Sequence, residues 1–266
     1  MPQIIFLKLG GSIITDKDAP MTARLDVLER LAGEIAASLY ANPDLRLVIG
    51  HGSGSFGHVT ARKYGTYQGS QSHEQWLGFS EVWYAARRLN QIVIESLYKA
   101  GLPVIAFPPS ASAVTADRQV VSYDFGALKQ ALNANLIPVV NGDVIFDLRQ
   151  GSTILSTEEI FGYLAPGLHP ARILLAGQEP GVWADFTACT NLIPLITPAN
   201  QEFAIPGLQG STSVDVTGGM LQKVKLMLAL VQKVSGLEVL IYTGKTPGLC
   251  QQALAGGSPG TAIRQA

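Results

Sequence analysis

Short apolar runs and longer amphipathic stretches alternate along this chain. Gln3–Leu9, Leu45–Ile49, Pro103–Phe107, Ile137–Val140, Arg172–Ala176 and Glu238–Tyr242 have the length and composition of buried strands. Between the first two, Leu25, Leu28, Ala32, Ile35 and Leu39 recur at helical spacing. Trp76, Phe79, Trp83, Ala86, Val93 and Leu97 do the same over Glu74–Ala100, with Gly101 placed to cap the C-terminus. Phe125, Leu128 and Leu132 predict a shorter helix, and Met220, Val224, Met227, Leu228 and Val231 a late one. Ala184–Pro206 keeps neither period and reads as a hairpin region. The alternation predicts an α/β fold, a three-layer αβα sandwich around a mainly parallel sheet. A boundary falls near Gly177, between a lobe of about 1–176 and one of about 177–266. Two lobes on one continuous sheet and two separable domains fit that boundary equally.

Composition narrows the class. Of 266 residues, 47% are hydrophobic and 15% charged, which suits a sheet covered on both faces. A net charge of −1 gives no nucleic-acid surface. No apolar run reaches the roughly 18 residues of a membrane span, and Lys8 and Gly10-Gly11 interrupt any signal-peptide pattern. Cys189 and Cys250 are not spaced as metal ligands, so no metal site is expected from the protein. The expectation is a cytoplasmic protein with reduced thiols.

The chemistry gathers where predicted strands end. In an open parallel sheet, ligands collect at the carboxyl ends of the strands. Gly10-Gly11-Ser12 ends the first strand, and the run from His51 to His58, "HGSGSFGH", ends the second. Glycines there let backbone N–H groups approach an anion. Either loop alone is an ordinary tight turn; the pair on successive strands points to a phosphate site. Gly52–Gly57 also matches G-x-G-x-x-G, but no strand ending in an acid follows at dinucleotide-fold spacing. A Walker A loop is absent. Lys8 lies inside an apolar run, so it either snorkels to water or faces a phosphate. Lys17 alone is an unremarkable loop lysine; paired with Lys8 across the glycines it becomes a candidate second cation. Lys223 follows Gly218-Gly219 into the late helix, as a surface lysine or as a polyphosphate ligand. His51 and His58 both read as plain loop histidines, but His58 ends the second loop, where an imidazole N–H could instead reach an anion.

Taken together, "KLGGSIITDK", "GSGSFGH", "NGDVIFD" and "DVTGGMLQKV" resemble the amino acid kinase superfamily, and within it the isopentenyl phosphate kinases. The likeness runs from Lys8 to Tyr242, and its most specific part is the histidine of "GSFGH", shared with fosfomycin kinases. The resemblance implies the amino acid kinase fold, with a substrate lobe and a nucleotide lobe. It implies ATP-dependent phosphorylation of isopentenyl phosphate to isopentenyl diphosphate, in an alternative mevalonate route, with Mg²⁺ and as a homodimer. Residue by residue, it implies that Lys8 holds the transferring phosphate and that Gly10, Gly11 and Ser12 form the phosphate loop. Lys17 then lies near the nucleotide phosphates, and Ser53 and Gly54 stand where substrate phosphate and ATP meet. His58 bonds the substrate phosphate, and Gly219 and Lys223 contact nucleotide.

Two departures from the family pattern stand out. Ser156-Thr157-Glu158 replaces the usual Ser-Gly-Asp, so Glu158 becomes the carboxylate that orients Lys8 and Lys17, and Thr157 sits at the substrate. Gly177–Gly181, with Gln178 at the nucleotide, replaces a loop that carries aspartates. On the helix of Glu74–Ala100, Phe79, Val82 and Trp83 line a prenyl pocket or are plain core. Rival readings are a fosfomycin kinase, an acyl-phosphate-forming amino acid kinase, or a non-catalytic nucleotide-binding regulatory module.

Overall fold

The computed structural model describes residues 3–185, 188–204 and 219–266; the side chains of residues 58, 59, 203 and 204 lie outside that description. The chain opens with β1 (Ile4–Leu9), α1 (Gly11–Ile14), α2 (Leu25–Ala41), β2 (Arg46–His51), α3 (Gly54–Tyr64), α4 (His73–Lys99) and β3 (Val104–Ala106). Next come β4 (Ala113–Ala116), β5 (Gln119–Tyr123), α5 (Gly126–Asn133), β6 (Ile137–Asn141), β7 (Asp143–Asp147) and β8 (Gly151–Leu155). Then follow α6 (Thr157–Leu168), β9 (Arg172–Gly177), β10 (Val182–Trp183), β11 (Leu192–Ile193), β12 (Leu195–Ile196) and α7 (Gln201–Ala204). The described chain ends with α8 (Gly219–Lys233), β13 (Glu238–Thr243), α9 (Leu249–Leu254) and β14 (Gly260–Ile263).

The principal sheet has the order β12-β14-β13-β9-β1-β2-β6-β3, and its pairings are parallel except that of β13 with β14. A second sheet, β5-β4-β7-β8, projects beside it, and β10 pairs with β11 in a short antiparallel ribbon. The strand period of two sorts the core of the principal sheet into two layers. Ile5, Leu7 and Leu9 of β1 pack with Leu31 and Ile35 of α2, Leu89 of α4 and Ala253 of α9. Phe6 turns the other way, toward Leu128 of α5, Phe161 of α6 and Val224 of α8. The fold is therefore the helix-sheet-helix sandwich that the alternation predicts. No described helix is long and apolar enough to cross a membrane.

Of the helices that escape the sequence pattern, α3 and α6 are the two longest. α3 begins at Gly54, inside what reads as a loop, and carries glycine at 54 and 57. α6 begins at Thr157 behind a reciprocal cap: Glu159 N–H donates to Ser156 Oγ (3.2 Å), and Ser156 N–H donates to Glu159 Oε2 (2.7 Å). The segment read as a hairpin holds β11, which pairs with β10, but also β12, which joins the principal sheet beside β14. Gly101, at φ 81°, sits just past the α4 C-cap in the left-handed conformation that favours glycine.

α6 lies very close to the sheet over β2. A Cβ added at Gly50 would come within 2.4 Å of Thr157 Cγ2 and 2.7 Å of Phe161 Cζ, both on α6. Gly50→Ala is expected to destabilise the protein by about 1–3 kcal/mol through overpacking. Urea denaturation of the variant against the parent checks this, and an unchanged midpoint would contradict the close approach.

Candidate active site

Alternation along β1 decides where Lys8 points. Lys8 shares its face with Phe6, and Phe6 packs against Phe161 of α6 with ring centroids 5.0 Å apart. One helical turn earlier on α6 stands Glu158, so the step from Phe6 to Lys8 matches the step from Phe161 back to Glu158. Lys8 Nζ donates a short hydrogen bond to Glu158 Oε2. From α8, Lys223 Nζ approaches the other oxygen, Oε1, at 3.7 Å. The side chain of Glu158 is 8% exposed, that of Lys8 13% and that of Lys223 25%. Burial alone would push the Glu158 carboxyl up; the charges of Lys8 and Lys223 outweigh it and hold the group at about 2.

The expected partner of Glu158 was the pair Lys8 and Lys17. The structure gives Lys8 and Lys223 instead. Lys17 lies exposed in the turn between α1 and α2 and makes no ion pair among the described residues. Lys223 lies on the first turns of α8, which packs on α6 and so reaches the same carboxylate.

The two glycine turns touch each other backbone to backbone. A Cβ on Gly11 would lie 2.5 Å from Gly54 N, and one on Gly52 would lie 2.9 Å from Gly11 N and 3.9 Å from Lys8 Cε. Gly54 has φ 49°, and a Cβ there would meet Thr15 Oγ1 at 2.1 Å. Thr15 joins the turns. Its Oγ1 donates to Gly11 O (2.7 Å) and accepts from Ser55 N–H (3.0 Å). Gly10 N–H donates to Ala176 O at 2.8 Å, which ties the first turn to β9. Gln178 Nε2 donates to Ser12 O at 2.8 Å, which ties it to the loop after β9. The N–H groups of Gly11, Ser12, Ser53 and Gly54 donate to no acceptor among the described residues. Four such donors at the starts of α1 and α3, beside a lysine, form a concave site for an anion.

A layer beneath the second turn holds it in place. His51 is 1% exposed. Its backbone carbonyl accepts from Thr157 Oγ1 (2.7 Å) and from Gly142 N–H (3.0 Å). Burial, together with the charge of Lys8, lowers the His51 imidazole to about 4 against a smaller upward pull from the Gly52 carbonyl, so it is neutral at physiological pH. Asp143, next to Gly142, is buried and pushed up to about 6 by desolvation, although N–H groups of Ser110 and Val144 donate to it.

Of the residues singled out in the sequence, Lys8, Gly10, Gly11, Ser12, Ser53, Gly54, Thr157, Glu158, Gln178 and Lys223 converge at this end of the sheet. Gly219 opens α8 one turn before Lys223, at φ 65°. The side chain of His58, on α3, lies outside the described residues, as does Asp215. Phe79 and Val82 are buried with Ala61 of α3 and Val144 of β7, and Trp76 and Ile154 pack against them. Phe79 also meets Phe146, with ring centroids 4.8 Å apart. Trp83 stands apart from this cluster at 40% exposed. Thr15, His51 as a buried anchor and the partnership of Lys223 with Glu158 were not read from sequence. Thr15 carries no local signal, and the other two depend on helix packing.

A family model described as the amino acid kinase family matches residues 3–243. The isopentenyl phosphate kinase of Methanocaldococcus jannaschii is 35% identical, with 98% of each chain covered. That of Haloferax volcanii is 37% identical, again with 98% of each covered. Among solved structures, one titled as X-ray structures of isopentenyl phosphate kinase superposes with a TM-score of 0.84 at 29% identity. That superposition covers 98% of this chain and 99% of the other.

Glu158→Gln removes the negative charge and leaves Lys8 and Lys223 facing each other. At pH 7 the variant is expected to lose about 2–3 kcal/mol of stability, less than a fully buried pair because Lys223 is partly solvated. The folded carboxyl titrates below its ordinary 4.5, so its contribution is complete above that value and is lost as pH falls through about 2. Urea melts at pH 7 and pH 3 should therefore show the gap between parent and variant narrowing in acid.

Proposed function

This chain belongs to the amino acid kinase family, among its isopentenyl phosphate kinases, and from that premise we propose that it transfers the γ-phosphoryl group of ATP to isopentenyl phosphate. The observation that carries this reading is the pair of facing glycine turns, with four N–H groups that donate to no acceptor among the described residues beside a lysine held by Glu158. The acceptor is a phosphate oxygen, whose second ionisation near pKa 6 leaves it a competent nucleophile at neutral pH. A strong general base is not needed; the obstacle is the crowding of negative charge between two phosphate groups. Fixed cations and oriented N–H groups oppose that crowding as it grows in the transition state.

In this reading Lys8 holds the migrating phosphoryl group, and Glu158 keeps its ammonium aimed across the turns. Gly10, Gly11, Ser12 and Gly54 cradle the ATP phosphates, with Gln178, Gly219 and Lys223 along the nucleotide. Lys17, on its exposed turn, reaches the polyphosphate from solvent. Ser53, Gly54, Thr157 and His58 meet the substrate phosphate, and Phe79 and Val82 with their aromatic neighbours receive the prenyl tail. Trp83, being exposed, is placed at most at the rim of that pocket. Burial of a five-carbon tail at about 0.8 kcal/mol per CH₂ gives roughly 3–4 kcal/mol toward selectivity.

No group of three or more His, Cys, Asp or Glu able to hold a metal ion occurs among the described residues. Mg²⁺ therefore fits as a companion of the nucleotide phosphates and water, where it would neutralise their charge. A cytoplasmic homodimer belongs to the same proposal. Tyr40 on α2 and Tyr98 on α4, 90% and 72% exposed, supply apolar surface for pairing.

Purified protein with Mg-ATP should convert isopentenyl phosphate to the diphosphate, followed by phosphorus NMR. Fosfomycin and carboxylate substrates should remain unchanged; preferred turnover of either would replace the substrate assignment. Lys8→Ala should lower kcat at least about a hundredfold, since a charge fixed at a transferring phosphate is worth roughly 3 kcal/mol. His58→Ala should raise KM for isopentenyl phosphate by the equivalent of about 1.5–3 kcal/mol. KM for ATP should move much less. The reverse pattern would make the second turn a nucleotide loop.

A further inference from the structure

We propose that His51 is a positioning residue: its imidazole fixes the Gly52–Ser53 peptide so that the Ser53 N–H faces the phosphates. The proposal rests on the phosphate-transfer reading of the site and adds to it the device that aims one of the donors.

The hydrogen bonds determine the tautomer. His51 Nδ1 lies 3.1 Å from Gly52 O, which can only accept, so the proton is on Nδ1. His51 Nε2 lies 3.0 Å from Asn90 Nδ2 of α4. The Asn90 amide is itself oriented, because Arg87 Nη1 donates to its Oδ1 at 3.0 Å. Arg87 thus fixes Asn90, Asn90 donates to Nε2, and the single imidazole proton goes to Gly52 O. A second proton on the ring would face the Asn90 NH₂ group, donor against donor.

The peptide geometry carries the consequence into the site. No cis peptide occurs among the described residues. In a trans peptide the C=O of one residue and the N–H of the next point in opposite directions. With the Gly52 carbonyl held on the buried imidazole, the Ser53 N–H is directed away from it. That N–H has no protein acceptor among the described residues, and Gly52 lies against Gly11 and Lys8. Without the imidazole, the peptide could rotate and Ser53 N–H would lose its aim. A donor of this kind acts on the charge that develops in transfer, so its loss should appear in kcat more than in KM for ATP.

Two substitutions separate aiming from packing. Asparagine carries its amide nitrogen near the position of imidazole Nδ1, and glutamine carries its own near Nε2. His51→Asn keeps the donor to Gly52 O and should retain kcat to within about tenfold. His51→Gln loses it and should fall on the order of a hundredfold, as for a removed oxyanion donor. Packing predicts the opposite order, because glutamine fills more of the imidazole volume. A glutamine variant as active as the asparagine one, with both folded by circular dichroism, would overturn the proposal. Independently, long-range proton–nitrogen NMR of the parent should show Nδ1 protonated and Nε2 bare; the opposite tautomer would also overturn it. If the parent fails to turn over isopentenyl phosphate, the substrate reading falls, and the tautomer alone then decides the role of His51.

Discussion

A carboxylate buried between two lysines is tolerable only while every charge keeps its partner, and this requirement organises the centre of the molecule. Lys8 comes from the first strand, Glu158 from the start of α6 and Lys223 from α8. Removing Glu158 would leave the charges of Lys8 and Lys223 facing each other, so this one carboxylate ties β1, α6 and α8 together. The glycine turns sit directly above this triad. Their close backbone approach needs β1 and β2 at a set height, and the same triad sets the height of Lys8. Stability and the anion site therefore share one electrostatic arrangement.

The fold was legible where local pattern and tertiary role agree. Buried parallel strands must be apolar throughout, and β1, β2, β6, β9 and β13 stand out for that reason. α2, α4 and α8 carry apolar stripes that survive any choice of neighbour. α3 does not. It contains two glycines and is held at its start by the Thr15 hydroxyl, a partner from the C-terminal end of α1. α6 carried a readable signal, the Ser156 to Glu159 capping box. That signal was masked by its alignment with a loop motif.

The site was legible as residue types and less so as partnerships. Lysine in an apolar run and two glycine turns announce an anion, because few purely structural roles ask for both. Which lysine meets Glu158 depends on where α8 crosses α6, and no spacing in the chain encodes that crossing. Phe79 and Trp83 are four residues apart and look equivalent in sequence. Only packing separates them: Phe79 faces Val144 and Phe146, while Trp83 falls on the flank of the buried stripe of α4. His51 looked like a loop residue because a histidine at a strand end is unremarkable until Asn90 and Thr157 are seen around it.

The place of β1 in the sheet has a bearing on how the chain is made. Its two neighbours are β2 and β9, and Ile5 aligns with Leu47 on one side and with Arg172 on the other. During synthesis β2 emerges soon after β1, while β9 follows only when most of the chain is out. One edge of the first strand is thus open through much of translation. Such an edge is a template for wrong pairing. Its protection in that interval falls to the glycine-broken end of β1 and to the shortness of the strand, and the nascent half acquires its finished centre only when residue 172 arrives.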